Sequence, residues 1–315
     1  MTNTKETVKR SALDRRLDKI RAAEESGRLN TRLSNRTLRK LTANKLAVCG
    51  VILFVLICLL CFGAPLFTSY SPTAFDLRAK ISPPSAEHIL GTDQMGRDIW
   101  TRILYGGRIS IVVGLGSALG AALLGVTLGL YVGYKGGILD SLLIKISDIF
   151  QSIPQMVLII IMVALVGQST RNLIIIFIVT GWPGMYRMAR SKVLSLKQQE
   201  FVQALRAFGI SDAKIAFKHL LPNTLGPVVV NITLSTAMFI LQEASLSVLG
   251  YGVPMEIATW GNIINVITNG GTIRFDWLQY WWMWLPCSVM LILFVLSINF
   301  IGDGLRDASD PTQIG

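Results

Sequence analysis

Apolar runs alternate with polar segments along the chain, and their spacing predicts six membrane-spanning helices. The runs cover residues 46–67, 109–132, the stretch after Asp148 as far as Gly167, 173–186, 228–249 and 280–301. An α-helix rises about 1.5 Å per residue, so roughly 20 apolar residues cross a ~30 Å hydrocarbon core. Pro154 falls inside the third run and predicts a kink, and Pro183 lies near the inner end of the fourth. The expected fold is an all-α polytopic membrane protein. About 45 polar residues precede the first run, which argues against a cleavable signal peptide.

The segments between the runs divide the chain. Residues 1–37 are polar and basic and read as a mobile arm. Residues 38–67 read as an in-plane amphipathic elbow followed by the first span. Residues 68–108 are polar, with Pro72, Pro83 and Pro84 predicting an extended path. Residues 109–302 hold the other five spans, and 303–315 form a polar tail.

Composition supports this class: 51% of the residues are hydrophobic and 16% charged, well below the roughly one quarter of a soluble domain. The net charge of +11 does not point to nucleic acid. It concentrates in the first 45 residues and in the segment 197–223, the positive-inside pattern of cytoplasmic segments. Six spans with this bias place both termini in the cytoplasm.

The longest polar stretch in the second half is 197–223. Phe201, Val202, Ala204, Leu205 and Phe208 follow the spacing of one helix face, with Lys197, Glu200, Gln203 and Arg206 opposite. Gly209 stands where a helix ends in a left-handed cap. Ser211 or Asp212 then caps a second helix over 213–221, closed by Pro222. The result is a stiff two-helix knob on the cytoplasmic side, suited to docking.

Candidate chemistry elsewhere is sparse. Gly91 and Gly96 have P-loop spacing, but Arg97 and Asp98 replace the lysine and the hydroxyl, and two aspartates would repel phosphate. Nucleotide binding there is excluded. Cys58 and Cys61 have CxxC spacing, yet inside a span they read as packing residues, and Gly116, Gly120, Gly125, Gly129 and Gly133 read as a close-packing stripe. Glu243 is the clearest ionisable residue within a span, a candidate for either a pore or a polar packing contact. Trp260 suits a membrane interface. No metal cluster, carboxylate pair or nucleophile constellation stands out, so the chain reads as non-enzymatic and any driving energy comes from elsewhere.

Several motifs together carry a resemblance. Gln203-Ala204-Leu205 with Gly209 and His219-Leu220-Leu221-Pro222 resembles the EAA loop of the permease subunits of bacterial ABC importers. Gly91-Thr92-Asp93 with Gly96-Arg97-Asp98, Ser245–Gly250 with Trp260-Gly261-Asn262, and Asn299–Asp307 with Asp310-Pro311 are similar to the dipeptide, oligopeptide and nickel branch, specifically the second permease of the pair. Two departures stand out, Gln203 for the family's glutamate and Leu205 for its second alanine.

The resemblance implies the type I importer permease fold in a bacterial cell membrane and transport of peptides or a related small solute. It implies three kinds of partner besides the lipid bilayer: a homologous sister permease forming a heterodimer, one or two cytoplasmic ATP-binding subunits, and an extracytoplasmic solute-binding protein. ATP and Mg would sit on the ATPase partners and no cofactor on this chain. Glu200, Gln203, Ala204, Leu205, Gly209 and Pro222 would form the coupling loop. Asp93, Arg97, Asp98 and Trp260 are candidates for meeting the binding protein. The alternative is a secondary transporter or channel driven by an ion gradient, which predicts inverted repeats and several midplane charges.

Overall fold

The computed structural model describes residues 41–265 and 278–309, so the arm read over 1–37 and the end of the tail lie outside the described residues. Among the described residues the structure is helical, with one isolated β-bridge between Thr92 and Asp98. Helix α1 (Lys45–Phe62) begins at Asn44, whose side-chain oxygen accepts from the amides of Leu46 and Ala47 at 3.1 and 3.2 Å. After Gly63 a single further turn, Ala64–Phe67, completes the span read from the sequence.

Helix α2 (Ile99–Lys135) has 37 residues and starts ten residues before the apolar run at 109. The cause is a cap. Asp98 Oδ2 accepts from the Thr101 amide at 2.8 Å and from its hydroxyl at 2.7 Å. The cations in the first turns, which made this region read as loop, do not face water. Arg102 is 1% exposed and turns its Nε toward Asp93, and Arg108 donates to the carbonyls of Cys61 and Phe62 at 2.6 and 2.9 Å. Arg108 thereby satisfies carbonyls at the end of α1 that have no intrahelical donor.

The segment between the second and third apolar runs is largely the amphipathic helix α3 (Ile138–Ser152). It joins α4 (Gln155–Val166) through a 92° bend. Proline explains the break: Pro154 has no N–H to donate, and it biases Ile153 toward the extended conformation that is observed (ψ 133°). The polar side of α3 is fastened to α5 (Thr170–Lys197). Arg190 donates to both Asp140 oxygens at 2.7 and 2.6 Å, Tyr186 donates to Asp140 Oδ1 at 2.8 Å, and Arg187 contacts Ser147 and Asp148.

Two expected boundaries move further on. Helix α5 carries Pro183 inside it and runs eleven residues past Tyr186. Helix α6 (Glu200–Ala207) follows, and then α7 (Asp212–Val248) rises without interruption, so no separate second knob helix is closed by Pro222. Pro222 instead sits just after a π-helical stretch, Ile215–Leu220. Proline cannot donate to the carbonyl four residues back, and the wider turn absorbs that defect, with Leu221 N–H bonding the Ala216 carbonyl. Helix α8 (Trp260–Asn265) and helix α9 (Leu285–Ser309) complete the order. Residues 303–309, expected as tail, are the last turns of α9.

By length and composition, α1, α2, α7 and the stretch Trp281–Ala308 can each cross a membrane, and α3 with α4 pass the same test only taken together, as a pair bent by 92°. The fourth run read from the sequence is α5. It is long enough, at roughly 42 Å, but is not among the helices that qualify by composition, and it packs along α2. A Cβ at Gly125 would stand 2.5 Å from the Trp182 carbonyl oxygen, and one at Gly129 would stand 2.7 Å from that of Tyr186. From Gly120 to Gly133 the glycine stripe therefore serves helix packing, as small residues do in lipid, whereas Gly116 faces open space.

Candidate functional site

The knob is built by a cap. Gly209 has φ +72°, its amide donates to the Arg206 carbonyl at 2.9 Å, and the Ile210 amide reaches back to Leu205 at 3.2 Å. These two bonds are the Schellman pattern, accompanied here by half-burial of Leu205 and Ile210 against one core cluster. The apolar face read from the sequence splits in two. Val202 is fully buried beside Ile215, Leu220 and Val193, whereas Phe201 is 40% and Phe208 82% exposed, with Ala204 exposed between them. Phe201, Ala204 and Phe208 thus form an outward apolar stripe of one helical turn's spacing, flanked by exposed Glu200 and Gln203.

The knob is tied to the Lys135 end of α2 through Tyr134. Lys197 Nζ donates to the Tyr134 carbonyl at 2.7 Å, and the charged groups of Lys197 and Arg206 each stand 5.4 Å from its ring centroid. Such cation–ring contacts contribute about 0.5–2 kcal/mol. Gln203 donates to the Gln198 carbonyl at 3.3 Å, a local contact that a glutamate could not make as donor. Pro222 is exposed at the root of α7.

Glu243 is completely buried on α7. Its oxygens accept from Ser110 on α2 at 3.3 Å and Ser247 at 2.9 Å. Ser110 in turn accepts from the Trp260 amide at 3.1 Å. The group is a polar clamp joining α2, α7 and the start of α8, and among the described residues no cation pairs with it.

The four candidates for binding-protein contact lie inside the protein: Asp93, Arg97, Asp98 and Trp260 are 4, 4, 5 and 0% exposed. Asp93 accepts from the Met95 and Arg97 amides at 2.8 and 3.0 Å and from Arg97 Nε at 2.7 Å. Its own carboxylate fills the backbone nest that a P-loop would offer to phosphate. Asp98 caps α2 and bonds His88 Nδ1 at 3.0 Å. Trp260 is no interfacial residue. Its ring packs edge-on to Phe294 and its Nε1 donates to the Ile103 carbonyl at 3.0 Å. These residues brace the Asp98 end, and a partner would reach them only after rearrangement. Among the described residues no group of His, Cys, Asp and Glu stands close enough to hold a metal ion.

Comparison with known proteins agrees with this architecture. The family model described as binding-protein-dependent transport system inner membrane component matches residues 125–314, and one described as N-terminal TM domain of oligopeptide transport permease C matches 33–84. The chain is 40% identical to a dipeptide transport system permease protein of Alkalihalophilus pseudofirmus, over 87% of this chain and 88% of that one. It is 36% identical to an oligopeptide transport system permease protein of Bacillus subtilis, over 92% and 93% of the two chains. Among solved structures, an inward-facing form of the MetNI methionine ABC transporter superposes with a TM-score of 0.52 at 22% identity, covering 66% of this chain and 96% of that one, a likeness of fold. With one family model spanning more than half of its length and relatives aligned along nearly all of it, the chain belongs to the binding-protein-dependent transport system inner membrane components.

Proposed function

We propose that this chain is a permease subunit of an ATP-driven importer and carries peptides through a bacterial cell membrane. The observation that carries the proposal is the near-full-length likeness to relatives named as dipeptide and oligopeptide permeases. In this reading the chain pairs with a homologous sister permease and receives solute from an extracytoplasmic binding protein. One or two cytoplasmic subunits hold ATP and Mg and do the hydrolysis, and this chain binds no cofactor. Both termini lie in the cytoplasm with the knob, on the side of Lys135, Lys145, Arg187, Lys192, Arg206, Lys214 and Lys218, in line with the positive-inside bias.

The stripe Phe201, Ala204 and Phe208 docks into the ATPase subunits, with Glu200 and Gln203 at its rim. Leu205 and Gly209 keep its shape, and Pro222 with the π turn passes its movement into α7. Movement of a packed helical body between two states, biased by differential contacts, converts ATP binding into pore switching. The test is co-expression with the neighbouring ATPase subunits. Phe208→Asp should abolish co-purification while the permease pair still assembles, and retention of the ATPase subunits by that variant would refute the docking.

A further inference from the structure

The inner end of α2 holds a buried aromatic residue that no step of the proposed coupling uses. Tyr134 is 0% exposed, and its hydroxyl makes no hydrogen bond of normal geometry, although Arg206 stands near it. A buried tyrosine normally places its hydroxyl on a partner, so what this position offers is its ring. Lys197, the last residue of α5, and Arg206, in the last turn of α6, each bring their charge to 5.4 Å from the ring centroid. Among the described residues neither cation forms an ion pair with a carboxylate. The electron-rich ring is the acceptor that the two share.

The surroundings of this contact make it a mechanical joint. Tyr131, three residues earlier, stacks on Phe217 in the π-helical stretch of α7, with centroids 6.4 Å apart and planes at 11°. Within about one turn, α2 therefore meets α5, α6 and the root of α7. Behind this point α2 and α5 are packed backbone to backbone, since a Cβ at Gly133 would stand 3.3 Å from the Arg190 Cα, and those at Gly125 and Gly129 meet α5 carbonyls. Helices so closely packed shift together, because a dense interface has no room to shear.

We infer that Tyr134 is a positioning residue for transport: its ring, clamped by Lys197 and Arg206, joins the knob to the α2–α5 pair, so that displacement of the docking stripe reaches α2 and α5 directly and not only α7 through Pro222. A ring face attracts a cation over a broad area, whereas a hydrogen bond weakens steeply with angle. The joint thus holds while the two long side chains shift during the cycle. The relay rests on the coupling reading above; the clamp does not.

The test places phenylalanine and its mono-, di- and trifluorinated analogues at position 134 of the full complex, beside Tyr134→Leu. Fluorine draws electron density from the ring with little change of shape, so the attraction for cations falls while packing is kept. In proteoliposomes, peptide taken up per ATP hydrolysed should stay within about twofold of wild type in Tyr134→Phe and fall stepwise along the fluorinated series. It should drop at least about threefold in the trifluorinated form, the equivalent of one exposed cation–ring contact, and in Tyr134→Leu, with the ATPase subunits still co-purifying in full. A role in packing alone gives a flat fluorinated series, and that result, or unchanged coupling in Tyr134→Leu, would overturn the relay. Spin labels on the exposed positions Lys135→Cys and Ser211→Cys, with Cys49→Ser and Cys58→Ser, read the clamp without transport. One narrow distance, the same with and without ATP, is expected for phenylalanine at position 134, and a broadened one for the trifluorinated form. Equal widths in the two would overturn the clamp. A wild-type complex that takes up no peptide with ATP would instead overturn the function proposed above, and the label distances would still decide the clamp.

Discussion

Replacing Gly209 tests the knob where its geometry is most specific. At φ +72° an L-residue is destabilised by about 1–2 kcal/mol, while nothing lies within 4 Å of an added Cβ, so the penalty is conformational and not steric. The two Schellman bonds contribute about 1 kcal/mol each. Alanine at this position should thus bring the capped and frayed turns near balance. Asparagine, which tolerates the left-handed region, should cost less, and valine more. The assay is peptide taken up per ATP hydrolysed in proteoliposomes holding the full complex. The expected order of coupling is glycine, asparagine, alanine, valine, with ATP hydrolysis less affected than uptake. Unchanged coupling in Gly209→Val would refute the argument that the capped turn transmits force.

Other expectations follow from packing. Gly125→Ala drives a methyl group into the α5 backbone and should destabilise by about 1–3 kcal/mol, whereas Gly116→Ala, with open space around it, should be neutral or stabilising by about 0.5–1 kcal/mol; thermal unfolding in detergent separates the two. Glu243→Gln should assemble and transport nearly normally. Glu243→Leu leaves the Ser110 and Ser247 hydroxyls without their acceptor, about 1–3 kcal/mol for each orphaned group, and should lower the melting temperature. A Glu243→Gln complex that assembles but fails to transport would return this residue to a pore role. Asp98→Ala removes the α2 cap and the His88 partner and should cost about 1–2 kcal/mol in the same melting assay.

The helical class, the span at α1, the left-handed cap at Gly209 and the packing role of the α2 glycines were legible because each depends on local spacing. What was hidden depends on partners distant in sequence. The early start of α2 was masked by Arg102 and Arg108, whose partners are Asp93 and the last carbonyls of α1. Asp98 followed by Thr101 was the available capping signal. Helix α3 was obscured because Asp140 and Asp148 lower its hydropathy, and both are neutralised by arginines some forty to fifty residues later. Pro222 looked like a stop because a π turn has no sequence signature of its own. The knob's five apolar positions looked like one buried face. Only the tertiary contacts separate Val202, packed in the core, from Phe208, which stands out in solvent. Trp260 had an interfacial composition signal and a core location, since its indole nitrogen finds the Ile103 carbonyl inside the bundle.

The central claim is that this chain moves peptide only when separate subunits hydrolyse ATP. Proteoliposomes containing the permease pair, its ATPase subunits and its binding protein should accumulate radiolabelled dipeptide or oligopeptide when ATP and Mg are supplied to the ATPase face. That uptake should stop with a non-hydrolysable nucleotide and persist with a protonophore. Peptide uptake by this chain without ATPase subunits, driven by a pH gradient and abolished by the protonophore, would contradict the account.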